Sequence, residues 1–359
     1  MVPVGLADLG GWPAVLGRVA AGSDLSSAES AAALREILEG AASPSQMAAF
    51  IFGLRCKGET SEELTGMLGA MLEVAETVPV PEDVRARLVD TCGTGGDRAG
   101  TINVSTIAAL VVAGAGVPVC KHGGRAASSR TGSADVLEAL GVEIALAPRA
   151  VARCIEEAGI GFCFAPRYHP AMRHVGPTRR ELGVPTAFNL LGPLANPGRA
   201  PYQLVGVGDG RVAERVATVL GAAGADRAWV VHGHDGLDEL STAAPSTVVE
   251  WRAGAAELRS FVVDPADLGL APARLEELRG GGPAANAAAT RAVLAGTPGP
   301  HRDIVLLNAA AALVVVGQVA DLAEGLRRAA ESVDSGAAAT ALNHLVSLSQ
   351  SEAAKVPPH

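Results

Sequence analysis

The chain has 359 residues, 48% of them apolar, enough to bury a substantial core as one large domain or two ordinary ones. A net charge of −9 opposes polyanions in bulk, which argues against nucleic acid and requires any phosphate ligand to be held by a local cluster. Aromatic residues are only 3% of the chain, too few for a sheet that stacks bases.

The cysteines Cys56, Cys92, Cys120, Cys154 and Cys163 contain no C-x-x-C pair and read as reduced core thiols. No basic stretch followed by an apolar run opens the chain, and apolar stretches are broken by Gly or charge before about 18 residues. The expectation is a cytoplasmic protein with no export signal and no membrane span.

Residues 1–80 read as an all-helical unit. Ser26-x-x-Glu29, Ser43-Pro44-x-Gln46 and Thr60-x-x-Glu63 are three capping boxes. Between them, runs such as Ala33, Leu34, Ile37 and Leu38 are apolar at helical spacing. Pro79 and Pro81 then punctuate the chain.

From Leu88 onward, short Val/Leu/Ile runs alternate with Ala-rich helical segments, which predicts an α/β domain over 81–359 with a mainly parallel central sheet flanked by helices. Candidate strands are 87–91, 117–121, 161–164, 202–206, 228–232 and one near 247–251. One segment breaks the alternation: residues about 170–195, rich in Pro, Arg and His, carry a helical piece expected to return to the N-terminal helices.

Two glycine-rich loops follow strands. In the first, Gly93-Thr94-Gly95-Gly96-Asp97 lets backbone N–H groups approach a ligand closely, and Asn103 or Ser105 is a natural cap for the helix that begins there. A phosphate between loop and helix would meet unsatisfied donors and the positive dipole end. The loop is neither G-x-G-x-x-G nor a Walker A sequence, so dinucleotide and ATP readings lose their usual support. The second loop, Lys121-His122-Gly123-Gly124-Arg125, sets cations beside glycines at a strand's C-terminal end, with Ser128, Ser129 and Ser133 beyond it.

After the fifth strand comes His232-Gly-His234-Asp235-Gly236-Leu237-Asp238-Glu239. Adjacent carboxylates suit Mg²⁺, which takes one or two of them plus substrate phosphates. They would equally suit the acidic start of a helix. The two histidines lack further ligands at zinc spacing.

Taken in order, Gly93-Thr-Gly-Gly-Asp97, Asn103-Val-Ser-Thr106, Lys121-His-Gly-x-Arg125, Gly132-Ser-Ala-Asp135, His169-Pro170, Arg179-Arg-Glu-Leu-Gly183, Phe188-Asn-Leu-Leu-Gly-Pro193 and Leu237-Asp-Glu239 resemble the anthranilate phosphoribosyltransferase family over nearly the whole chain. The resemblance implies the nucleoside phosphorylase/phosphoribosyltransferase fold and a homodimer through the helical domain. It also implies transfer of phosphoribose from phosphoribosyl pyrophosphate (PRPP) to the amine of anthranilate, a step of tryptophan biosynthesis.

By the same resemblance, Gly93, Gly96, Asp97, Thr101, Asn103, Val104, Ser105, Thr106, Lys121, His122, Gly123, Arg125, Ser128, Ser129 and Ser133 surround PRPP. Ser105, Asp238 and Glu239 hold two Mg²⁺ ions. Gly93, His122, Gly124, His169 and Arg179 surround anthranilate, Arg179 clamping its carboxylate. One position departs from the pattern: the family reads Lys-His-Gly-Asn-Arg, and Gly124 stands where the Asn contacts the aromatic substrate. That departure keeps open transfer to a different aromatic carboxylate, whereas a non-catalytic nucleic-acid-binding relative is disfavoured by the acidic charge and the retained Ser105, Asp238 and Glu239.

Overall fold

The computed structural model describes residues 4–97, 99–126 and 130–355. Four helices open the chain: α1 (Gly11–Ala20), α2 (Ser27–Leu38), α3 (Pro44–Lys57) and α4 (Ser61–Glu73). The last three begin at the three expected capping boxes. In each, the Ser or Thr oxygen accepts the backbone N–H three residues on, and the Glu or Gln there accepts the N–H of the cap. Helices α2 and α4 cross closely because Gly66 has no side chain; a Cβ there would lie 2.1 Å from the Ser27 carbonyl oxygen.

A short turn α5 (Glu82–Arg85) leads into the sheet. In chain order follow β1 (Val89–Gly93), α6 (Val104–Gly114), β2 (Val119–Gly123), α7 (Ser133–Leu140), α8 (Pro148–Ala158), β3 (Ile160–Phe164), α9 (Ala165–Tyr168), α10 (Gly176–Leu182), α11 (Ala187–Leu194), β4 (Tyr202–Gly206), α12 (Ala213–Ala222) and β5 (Arg227–Gly233). Then come β6 (Ser246–Arg252), β7 (Arg259–Val263), α13 (Pro283–Leu294), α14 (Pro300–Val316), α15 (Leu322–Asp334) and α16 (Ala337–Ala353).

The seven strands form one sheet in the order β3-β2-β1-β4-β5-β6-β7, parallel except for the antiparallel β6 and β7. All six expected strands are present, shifted by up to two residues. Strand β7 was not anticipated: it pairs with β6 alone, is largely exposed, and so lacks the continuous apolar run of a buried strand.

Side chains alternate across the sheet. Leu204, Trp229, Val231 and Val248 face one core with α6, α8 and α14. Val205, Ala228, Val230 and Val249 face a second, which is shared with α12 and continues into the N-terminal helices. Helix α10 packs on α3, and α11 on both α3 and α4. Tyr168, Val175 and Phe188 are buried in the process.

Two expectations need correction. Cys56 is exposed, while the other four cysteines are buried free thiols. Asn103 is the N-cap residue of α6, yet its side chain makes no capping bond because it is drawn elsewhere. Among the described residues no helix is long and apolar enough to cross a membrane.

Candidate active site

In the sheet order, β2 lies on one side of β1 and β4 on the other, so sheet growth reverses between β1 and β4. The C-terminal ends of the strands flanking such a reversal form the crevice where open α/β sheets bind ligands. Here β1 and β4 end in register at Gly93 and Gly206. Asp238, from the loop after β5, lies across both ends: a Cβ on Gly93 would sit 2.3 Å from its Oδ2, and one on Gly206 only 1.5 Å from its carbonyl oxygen. Glycine at both positions lets Asp238 lie there. The Gly95 N–H then donates to Asp238 Oδ2 at 2.7 Å, and the Thr94 N–H to the Gly206 carbonyl at 2.9 Å.

Glu239 is buried beside it and accepts the Ser105 N–H on Oε1 at 3.2 Å. Ser105 is held further by Thr91, whose hydroxyl donates to its carbonyl at 2.9 Å. Lys121 is turned inward and almost wholly buried, its Nζ donating to the Thr91 carbonyl at 2.6 Å and reaching Ser105 Oγ at 3.4 Å.

These acids are electrostatically crowded. Burial, and then the neighbouring Asp97, pushes Asp238 up to about 7; burial, and then Asp238, holds Glu239 well above the usual carboxylate range. Hard oxygen donors crowded together, with Lys121 offsetting their charge only in part, suit a divalent cation. Among the described residues no three His, Cys, Asp or Glu side chains converge on one point. Asp238 and Glu239 do not open a helix; they lie in the loop between β5 and β6. His232 and His234 are each committed singly, to the Val207 carbonyl and the Thr247 hydroxyl, both at 2.8 Å.

Around this centre the first loop presents exposed Gly96 and half-buried Asp97, while Val104 and Thr106 are buried in the first turn of α6. Thr101 forms an antiparallel bridge with Arg279, a distant partner with no sequence signal. In the second loop, Gly123 lies against Ser133, and the Ala134 N–H donates to the Gly124 carbonyl at 3.1 Å. Arg125 is engaged by Asp135 and Glu138, each at 2.9 Å, and stacks near Phe164. Ser128 and Ser129 lie outside the described residues.

The residues expected around anthranilate come from separate segments: His122 from β2, His169 from the residue after α9, and Arg179 from α10. The buried rings of His122 and His169 have centroids 5.1 Å apart. His169 Nε2 meets the Ala195 carbonyl at 2.9 Å, and His122 Nε2 is buried without a hydrogen bond. Burial lowers both imidazoles, His122 furthest, with His169 and Lys121 adding to the effect, so both are neutral near pH 7. The Arg179 guanidinium lies 5.1 Å from the Phe188 ring centroid, without a carboxylate partner among the described residues, and burial lowers its pKa. A half-buried, unpaired guanidinium on an aromatic face is a receptor for a carboxylate.

Beneath the second loop, Asp90 is fully buried. It accepts the His122 N–H on Oδ1 at 3.2 Å and the Asn196 amide on Oδ2 at 2.6 Å; Asn196 also donates to the Cys120 carbonyl at 2.7 Å. Asp90, Asn196 and Gly206 were not singled out from sequence. The Gly206-Val-Gly208 run at the end of an expected strand was the one available signal.

Comparison with known proteins agrees with this geometry. A glycosyl transferase family helical bundle domain matches residues 13–75, and a glycosyl transferase family a/b domain matches residues 85–339. The chain is 55% identical to an anthranilate phosphoribosyltransferase of Salinispora arenicola, covering 93% of this chain and 96% of that one. It is 51% identical to one of Rhodopseudomonas palustris, covering 94% and 98%. Among solved structures, the anthranilate phosphoribosyltransferase of Thermus thermophilus superposes with a TM-score of 0.87 at 43% identity, covering 94% and 99%. The Saccharomyces cerevisiae enzyme in complex with PRPP and Mg superposes at 0.86 with 29% identity, covering 95% and 98%. The chain therefore belongs to the anthranilate phosphoribosyltransferase family of glycosyl transferases.

Proposed function

We propose that this chain transfers the phosphoribosyl group of PRPP to the amine of anthranilate with release of pyrophosphate, in tryptophan biosynthesis. The observation that carries the reading is Asp238, admitted between Gly93 and Gly206 at the reversal of the sheet and flanked by the glycine loop and Glu239. Relatives named for this activity, and a related structure holding PRPP and Mg, support it.

In this reading Ser105, Asp238 and Glu239 would hold two Mg²⁺ ions, which neutralise the pyrophosphate charge when bound. Gly93, Gly96, Asp97, Thr101, Asn103, Val104, Ser105, Thr106, Lys121, His122, Gly123, Arg125, Ser128, Ser129 and Ser133 surround PRPP. Arg125 must leave Asp135 and Glu138 to reach a phosphate, a surface exchange of small cost. Arg179 grips the anthranilate carboxylate, and the neutral His122 and His169 line the ring's path with Gly93 and Gly124. Attack at the anomeric carbon passes through an oxocarbenium-like state, so rate comes from positioning the weakly basic amine, with no strong general base needed.

The division at about residue 80, with 170–195 returning to the helical lobe, and a homodimer through that lobe belong to the same reading. Phe52 on α3, 46% exposed, supports the dimer. Light scattering tests it: a monomer at micromolar concentration would refute it.

Loss of anthranilate fluorescence on adding PRPP and Mg²⁺ tests the activity. No turnover by folded protein would refute it. One observation keeps a second acceptor in view: among the described residues a Cβ on Gly124 would meet only Ala165, at 4.0 Å. A panel of aromatic carboxylates in which anthranilate is not the best acceptor would favour that reading.

A further inference from the structure

Four hydrogen bonds close a ring between three distant segments. Asn286, on α13 and almost fully buried, accepts the Gly281 N–H on Oδ1 at 2.6 Å and donates from Nδ2 to Asn103 Oδ1 at 2.8 Å. Asn103 donates in turn to the Thr131 carbonyl at 3.0 Å, and the Thr131 hydroxyl donates to the Gly281 carbonyl at 2.8 Å. The direction of each bond fixes the next. Asn103 must offer its amide N–H₂ to a carbonyl, so its oxygen faces Asn286, which must present N–H₂ there and oxygen to Gly281.

The ring joins the exit of the first glycine loop to the approach to α7, beyond the second loop. The main chain reinforces the same contact: Gly280 N–H donates to the Gly100 carbonyl at 2.9 Å, and Ile102 N–H to the Leu278 carbonyl at 3.1 Å. This third segment was not singled out from sequence. Its role is to set the spacing of the two glycine-rich loops.

We propose that Asn286 is a positioning residue for PRPP, holding Asn103 and the Thr131 main chain at the separation at which both loops grip one ligand. The inference rests on the PRPP reading of those loops. Asn286→Ala removes two bonds of the ring. Thr131→Val removes one with little change of shape, and serves if Asn286→Ala does not fold.

Steady-state kinetics with Mg²⁺ should show the PRPP KM raised about tenfold in Asn286→Ala and about threefold in Thr131→Val, with the anthranilate KM within about twofold of the parent. The double variant should be no worse than about the worse single one, because a broken ring cannot be broken again. A PRPP KM unchanged in folded variants, parallel rises in both KM values, or independent multiplication of the two effects would overturn the proposal. If the parent shows no PRPP-dependent turnover, the functional reading fails and takes this inference with it; a working parent with unaffected variants refutes the inference alone.

Discussion

Gly206→Ala puts the geometry of Asp238, the proposed metal ligand, to a direct test. The new Cβ would lie 1.5 Å from the Asp238 carbonyl oxygen and 2.4 Å from its carbon, whereas real Cβ atoms essentially never approach under 3.0 Å. The obstacle is backbone, which cannot swing aside as a side-chain tip can, so the Asp238 main chain must retreat by about 1.5 Å, the difference between those two distances. That pulls the carboxylate from the Gly95 N–H and moves Glu239 with it. Misplacement by about 1 Å costs about 100-fold in rate, or roughly 2.7 kcal/mol of transition-state stabilisation. The expected outcome is a fall of at least about 100-fold in kcat/KM for PRPP, followed by anthranilate fluorescence at several Mg²⁺ concentrations. The strands are otherwise intact, so circular dichroism should be that of the parent. A folded Gly206→Ala protein within about threefold of the parent would refute the steric argument and with it the placement of Asp238.

Four further outcomes are expected. Asp238→Asn keeps the shape but removes an ionisable group, so the Mg²⁺ and PRPP concentrations for half-maximal rate should rise by about tenfold or more while the melting midpoint does not fall; unchanged metal dependence would contradict the assignment. Gly124→Asn meets no close contact among the described residues and no positive φ to forbid it, and a restored amide should lower the anthranilate KM by about 2- to 10-fold; a rise would mean that the pocket is shaped for another acceptor. In α4, Gly66→Ala should destabilise by driving α2 away, whereas Gly69→Ala, with nothing within 4 Å, should stabilise by about 0.5–1 kcal/mol in urea unfolding; equal effects would contradict the helix packing. Asp90 is pushed by burial from 3.8 up to about 6, so its contribution to stability is fully present below 3.8 and is lost as pH rises through 6. That difference is worth roughly 3 kcal/mol, and the stability-against-pH curves of the parent and Asp90→Asn should diverge between those limits; parallel curves would refute the shift.

The capping boxes at Ser26, Ser43 and Thr60 could be read directly because each donor and acceptor lies three residues from its partner. The six buried strands were legible from their apolar runs, and β7 was not, since an exposed edge strand needs no such run. The two glycine loops and the Asp238-Glu239 pair stood out in the sequence as the proposed phosphate and Mg²⁺ ligands, because such ligands ask for particular residue types wherever the chain brings them.

Assembly was not legible. Gly95 and Asp238 are 143 residues apart, and Asn103 and Asn286 are 183 apart; no local rule connects them. Lys121 and Arg125 read as two cations of one loop; Lys121 is a buried brace between Thr91 and Ser105, and Arg125 is paired with Asp135 and Glu138. The sequence by itself determined which elements form and which chemical groups are available, since those follow from hydrogen bonds and periodicities a few residues long. The tertiary structure alone decided which of those groups face one another, because that depends on strand order and on the close approach that Gly93 and Gly206 permit.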